Sequence, residues 1–235
     1  MTGMLRGLNG IVVLFVSLVV GSETTRAQSS IGLEGGLFFD SATFEDERVL
    51  AGIRDVDRAD VGNRDLGHVA LYYLHALSER HGFRVGGEFR YLGTLAAEPD
   101  GDNEDEIYVL GPAIELGARG EWSTPLTDEL SFLVGLRASF ALVFPEGELA
   151  EDIDRMAAEG IPVGDGPRPG VTLMPSIGAR YAIHERVNAG LTLGLGWSLL
   201  SIFDIDERVS GITFARDATW SSTRFELTVG LEVTL

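Results

Sequence analysis

The sequence contains no cysteine and no lysine, and after its first twenty residues it has no long apolar run. The missing cysteine excludes disulfides and a lipid-modified cysteine, so stability has to come from backbone pairing and packing. All 18 basic residues are arginine, and they face 36 acidic ones, for a formal charge of −18. Such a surface repels phosphates and argues against nucleic acid as a partner. Beyond residue 27 nothing approaches the ~18 consecutive apolar residues of a membrane-spanning helix. If this chain crosses a membrane, it crosses as strands. Glycine, in contrast, is plentiful at 30 residues, without a collagen-like period.

Residues 1–27 are expected to be a signal peptide and residues 28–235 the folded unit. Arg6 supplies a positive start, and Ile11 to Val20 (IVVLFVSLVV) form a ten-residue apolar core. The polar GSETTRA follows, with Thr25 and Ala27 as the small residues before cleavage at Gln28. Ten residues are too few to span a bilayer as a helix. Removing this segment leaves a charge of −19.

What the sequence does have is alternation of period two. Phe225, Leu227, Val229, Leu231, Val233 and Leu235 fall on one face, opposite Arg224, Glu226, Thr228, Gly230, Glu232 and Thr234. Only a strand separates those two sets. The same pattern sets Val187, Ala189, Leu191, Leu193, Leu195, Trp197 and Leu199 against Asn188, Gly190, Thr192, Gly194, Gly196 and Ser198. It recurs with Phe132, Val134, Leu136, Ala138, Phe140, Leu142 and Phe144. Two further apolar faces run from Tyr108 through Leu110, Pro112, Ile114, Leu116 and Ala118 to Trp122, and from Val171 to Ile183. Less regular stretches near 31–39, 67–78 and 83–95 complete eight strands. Pro112 and Pro175 interrupt the pattern, since proline cannot donate to a ladder.

The connections alternate too. Long polar stretches at about 40–66, 98–106, 145–169 and 204–218 take turns with the short SERHG, STPLTDE and IHER. That order fits an antiparallel up-and-down barrel whose two chain ends lie in the periplasm.

The chain therefore resembles the small eight-stranded outer-membrane barrels of the OmpA and OmpX type, without a periplasmic domain. The resemblance covers about residues 29–235 and rests on strand count, alternation and loop order. RFELTVGLEVTL also resembles that family's C-terminal assembly signal, departing from it in ending on Leu235 instead of an aromatic residue. It implies an all-β, transmembrane barrel in the bacterial outer membrane, surrounded by lipid and recognised by the assembly machinery through its last strand. A monomer is expected, with no cofactor.

A soluble, lipocalin-like barrel would bury the apolar faces instead. Against this, many residues of the opposite faces are Gly, Ser and Thr, suited to a narrow lumen. Large aromatics also cluster at strand ends, as lipid-facing girdles do. Trp122, Phe132, Tyr181 and Phe83 mark one end, and Tyr108, Phe144 and Phe203 the other.

The inward faces then carry Glu34, Glu88, Glu115, Glu121, Glu226 and Glu232 against Arg84, Arg90, Arg119, Arg137, Arg180 and Arg224. A barrel of eight strands is only wide enough to be filled by side chains, so these charges are expected to plug it. The four long connections hold 25 acidic residues and 8 arginines, an acidic solvated surface. Within it, Asp100, Asp102, Glu104, Asp105 and Glu106 concentrate hard oxygen ligands and form a candidate calcium site, although the later glutamate of a calcium loop is replaced by Gly111. GELAEDIDRMAAEG has helical spacing at Leu149, Ile153, Met156 and Ala157.

For function, the sequence favours a non-enzymatic barrel with a structural or surface-interaction role. A narrow solute or ion channel is the alternative, and a lipid A-modifying enzyme the third reading. Of the four histidines, His81 and His184 fall in short turns, while His68 and His75 lie on or beside the second strand. No spacing joins them to a serine, and neither GxSxG nor HExxH occurs.

Overall fold

The computed structural model describes residues 28–63, 67–78, 82–99, 107–209 and 212–235. Its strands are β1 (Ser29–Leu50), β2 (Ile53–Asn63), β3 (Gly67–Ser78), β4 (Phe83–Pro99), β5 (Tyr108–Pro125), β6 (Leu130–Val143), β7 (Arg168–His184), β8 (Val187–Val209) and β9 (Ile212–Thr234). One helix, α1 (Gly147–Ala158), lies between β6 and β7. All pairings are antiparallel between neighbours, and β9 returns to β1 over Ser30–Leu50 to close a ring. Eight strands make that ring. β2 continues the place that β3 occupies lower down: β3 pairs with β1 up to Leu37, and β2 pairs with it from Ser41 onward. Residues 1–27 lie outside the described residues.

The faces are inverted relative to a water-soluble barrel. On β9, Phe225, Leu227, Val229, Leu231, Val233 and Leu235 are exposed, while Arg224, Glu226, Thr228 and Glu232 are buried. The same inversion runs round the ring, with Leu33, Phe89, Leu116, Leu136, Ile177 and Leu193 outside. Closure leaves the lower ring no open edge, which is the condition for strands in hydrocarbon.

Two of the expected loops are strands. Residues 40–63 form the outer half of β1, a tight turn and β2; residues 204–209 belong to β8 and residues 212–218 to β9. Ala51 and Gly52 both have positive φ, 52° and 82°, as a two-residue hairpin turn requires. Charges stand on both faces of these segments, which hides the alternation of the inner-facing Phe44, Ala59, Trp220 and Phe214. At 22, 23 and 23 residues, β1, β8 and β9 are about twice the length that crosses a bilayer. With β2 they rise beyond the ring as a four-stranded wall.

α1 packs against β5 and turns the buried Leu149, Ile153 and Met156 into the space enclosed by this wall. Ala157, expected on the same stripe, is exposed. Together with Phe38, Leu110, Val143, Ile202, Phe203 and Trp220 these residues form an apolar core inside the upper barrel.

Bulges correct the expected outer girdle. The pairing of β4 with β5 shifts at Gly111, whose φ is 118°, so Tyr108 and Leu110 turn inward although Pro112 and Leu116 do not. A second shift at Ser201 turns Phe203 inward, where it is 1% exposed. The exposed aromatics at that level are Phe39, Tyr91, Phe140, Phe144, Trp197 and Phe225. At the short-turn end Phe83, Trp122 and Tyr181 are exposed, joined by Tyr73, while Phe132 is half-buried. Pro112 abuts the Gly111 bulge, and Pro175 falls where the β7–β8 ladder is interrupted between Leu173 and Ser176.

Candidate functional site

Because alternate residues of every strand point inward, the interior is a stack of layers. At the short-turn end, Arg84 bridges Glu121 and Glu232, with 2.7 Å to the latter, and Arg180 reaches Glu121 at 2.6 Å. The Tyr72 hydroxyl donates to Glu232 at 3.3 Å.

The next layer centres on Arg90, whose side chain is fully buried. Its guanidinium meets Glu226 at 2.7 Å, Glu88 at 3.0 Å and Glu34 at 3.1 Å. Arg119 bonds Glu34 at 2.8 Å and Glu88 at 3.1 Å while lying 4.2 Å over the Tyr72 ring. Arg137 holds Glu226 at 3.0 Å. Above these, Arg224 grips Asp40 with two nitrogens, at 2.9 and 3.0 Å, and reaches Glu115 at 3.1 Å. Of the twelve ionisable residues read from the sequence, ten are joined by ion pairs into one interior network, Arg119 linking its two layers through Glu121. Arg224 and Glu115 form a separate cluster above it. Burying charges on this scale is tolerable only when each is paired and hydrogen-bonded.

Asp40 in the upper cluster, and His68 and Tyr72 in the lower network, complete this interior and were missed as members of it. Asp40 shares the inward register of Glu34 and Phe38 on β1, but its place in an acidic stretch suggested a loop. His68 and Tyr72 occupy the inward register of β3. His68 Nε2 is 3.8 Å from Glu226 and 3.4 Å from the Thr228 hydroxyl. His75 is on the opposite, outer face, with Nδ1 3.1 Å from the Ser29 hydroxyl, which also bonds Tyr73. The two histidines therefore cannot act on one substrate atom. No carboxylate joins the Ser29–His75 pair among the described residues.

The apolar core closes the barrel above Arg224, whose guanidinium lies 4.5 Å from the Phe38 ring. An ionic clamp covers that core: Arg216 pairs with Asp46 at 2.7 Å and lies 4.0 Å over Phe203. Burial would raise the Asp46 carboxyl, but hydrogen bonds and charge from Arg216 and Arg48 outweigh it and hold it below the ordinary range. Tyr108 fixes α1 by donating to Asp152 at 3.0 Å, and Glu148 accepts the Val109 N–H at 2.8 Å. On the outside of the wall, Glu47, Asp217 and Asp204 are direct cross-strand neighbours. Burial and the nearby carboxylates of Asp204, Glu47 and Glu45 push Asp217 upward. The candidate calcium residues Asp100, Asp102, Glu104, Asp105 and Glu106 lie outside the described residues, as does His81.

Two gaps remain along the Gly190–Gly194 side of the ionic layers, each with about 20 Å³ of space that water can reach. That is room for roughly one or two water molecules each.

No protein-family model matches the chain, and no curated protein matches it by sequence. Solved structures do match its shape. The outer membrane protein OprG from Pseudomonas aeruginosa shares 12% identity over 89% of this chain and 97% of its own, with a TM-score of 0.52. The fold is that of a small outer-membrane β-barrel. The match to AlkL, solved in lipid bilayers, covers 92% of this chain and 94% of its own at 10% identity and TM-score 0.42. Neisserial surface protein A covers 86% and 96% at 11% identity, with a TM-score of 0.39. The strands, the inverted faces and the ring closure of this barrel account for that fold.

Proposed function

We propose that this protein is a monomeric, non-enzymatic barrel of the bacterial outer membrane, closed to solutes and presenting an acidic wall outside the cell. Export through the N-terminal segment and assembly through β9 belong to this reading. The single observation that carries it is the double closure of the interior. An ionic lattice fills the lower lumen, and an apolar core with α1 fills the upper.

A belt of exposed aliphatic and aromatic side chains supports lipid contact, since soluble monomers rarely expose so large an apolar surface. The long-connection end then faces outward, because short turns belong to the periplasmic side. Along the two faces of the wall Asp55, Asp57, Asp60, Asp204, Asp206, Glu207 and Asp217 are exposed, which supports a structural or surface-interaction role. The separation of His68 from His75 supports a non-enzymatic reading.

Reconstitution into a planar lipid bilayer tests it. A folded, heat-modifiable barrel without discrete current steps is expected. Reproducible steps from the unmodified protein would replace this reading with that of a narrow channel.

A further inference from the structure

The ionic lattice is balanced in its two lower layers and unbalanced in the third. Arg84 and Arg180 serve Glu121 and Glu232, and Arg90, Arg119 and Arg137 serve Glu34, Glu88 and Glu226. Arg224 alone faces two carboxylates, Asp40 and Glu115. Asp40 fills the guanidinium fork with both oxygens. Glu115 receives the remaining Arg224 nitrogen and the Thr172 hydroxyl, at 2.8 Å, on one oxygen, Oε1. Its Oε2 has no partner among the described residues, although Glu115 is only 1% exposed.

Hydroxyl oxygens line one side of this layer. Thr172, Ser198 and Ser222 are direct cross-strand neighbours on β7, β8 and β9, and all three are buried. With its proton given to Glu115, Thr172 accepts from Ser198 at 3.2 Å. The Ser222 hydroxyl is buried and, like Glu115 Oε2, has no partner. His68 contacts Glu226 and Thr228 instead of Glu115.

We propose that this layer binds one monovalent cation of the alkali class, held by Glu115 Oε2 and the hydroxyl oxygens of Ser198 and Ser222. An uncompensated carboxylate oxygen in a dry interior is costly, and hard cations take oxygen ligands. Arg224, Asp40 and Glu115 sum to one negative charge, so a single positive charge neutralises the layer and a divalent ion overshoots. The apolar core directly above keeps bulk water from doing so.

The test is thermal unfolding of the protein, refolded in detergent micelles, in sodium chloride and in N-methylglucamine chloride at equal ionic strength and pH. A higher midpoint in sodium, saturating with concentration, is expected. Ser222→Ala removes a hydroxyl that bonds nothing else, so it folds, and it is expected to weaken the apparent sodium affinity roughly tenfold. Glu115→Gln is expected to abolish the sodium dependence. Equal midpoints in both salts for the unmodified protein overturn the proposal, as does a sodium effect that Ser222→Ala leaves unchanged. Neither result bears on whether the lumen conducts.

Discussion

The guanidinium of Arg216 lies 4.0 Å over the ring of Phe203 while two of its nitrogens hold the Asp46 carboxylate. This contact joins β9, β8 and β1 above the apolar core. Because Asp46 is held below its ordinary value of 3.8, its ionised form is favoured in the folded wall. The resulting stability is fully present above pH 3.8 and is lost as pH falls through the lower folded value. Trp220, buried in the core beneath, reports it. Its fluorescence is expected to shift toward a wetter environment only below that pH. Asp46→Asn should produce the shift at neutral pH, at a cost on the order of 3 kcal/mol for the broken pair. A neutral-pH spectrum identical to that of the unmodified protein would remove the clamp.

The helix is a second, separable closure. Leu149 is fully buried between α1 and the upper barrel, so Leu149→Ala is expected to cost about 2–5 kcal/mol locally. Limited proteolysis should then cut within residues 144–167 while the barrel keeps its heat-modifiable form. Bilayer recordings of this variant stay silent, because the lattice around Arg90 is untouched. Current steps from Leu149→Ala would instead locate the whole seal in the helix.

Below the core the lattice depends on complete pairing. Arg90→Met leaves Glu34, Glu88 and Glu226 each short of one cationic partner, and a loss of about 3–5 kcal/mol follows. Adding Glu226→Gln removes one of the stranded charges and should recover part of that loss. Urea unfolding in lipid vesicles, followed by the electrophoretic shift of the folded form, measures both. If the double variant is no more stable than Arg90→Met, the charges are not coupled through Arg90.

Much of this stack could be read in the sequence because each strand codes its two faces in alternate letters. Glu226 and Arg224 are spaced by two on a strand whose other face is wholly apolar, so their direction follows once the apolar face is placed outside. The upper half escaped for two physical reasons. In Phe44–Leu50 and Ile53–Ala59 both faces carry charge, because one meets solvent and the other meets the Asp46–Arg216 clamp. Period two survives there without a hydrophobic signal. Bulges did the rest: a residue gained near Gly111 or Ser201 reverses every face beyond it, so Tyr108, Leu110 and Phe203 point inward. Asp40, one register step above Phe38, was lost with the loop that was expected to contain it.

Asp217 carries the last prediction, on the outer wall. It is raised above its ordinary 3.8 by partial burial and by the carboxylates of Asp204, Glu47 and Glu45. For a carboxyl shifted upward the folded state favours the protonated form. Stability is therefore highest at acid pH and declines as pH rises from 3.8 through the folded value, leaving a repulsion in force at neutral pH. Like charges directly opposite on neighbouring strands cost a few tenths of a kcal/mol, and this exposed site is screened by salt. Asp217→Asn is accordingly expected to raise the neutral-pH stability at low salt by at most about 0.5 kcal/mol, read as a slightly higher melting temperature. The gain should vanish near ~1 M salt, where the screening length falls to about 3 Å. A gain that persists at high salt would mean that Asp217 acts through local packing, and no gain at low salt would mean that the three carboxylates do not repel across the wall.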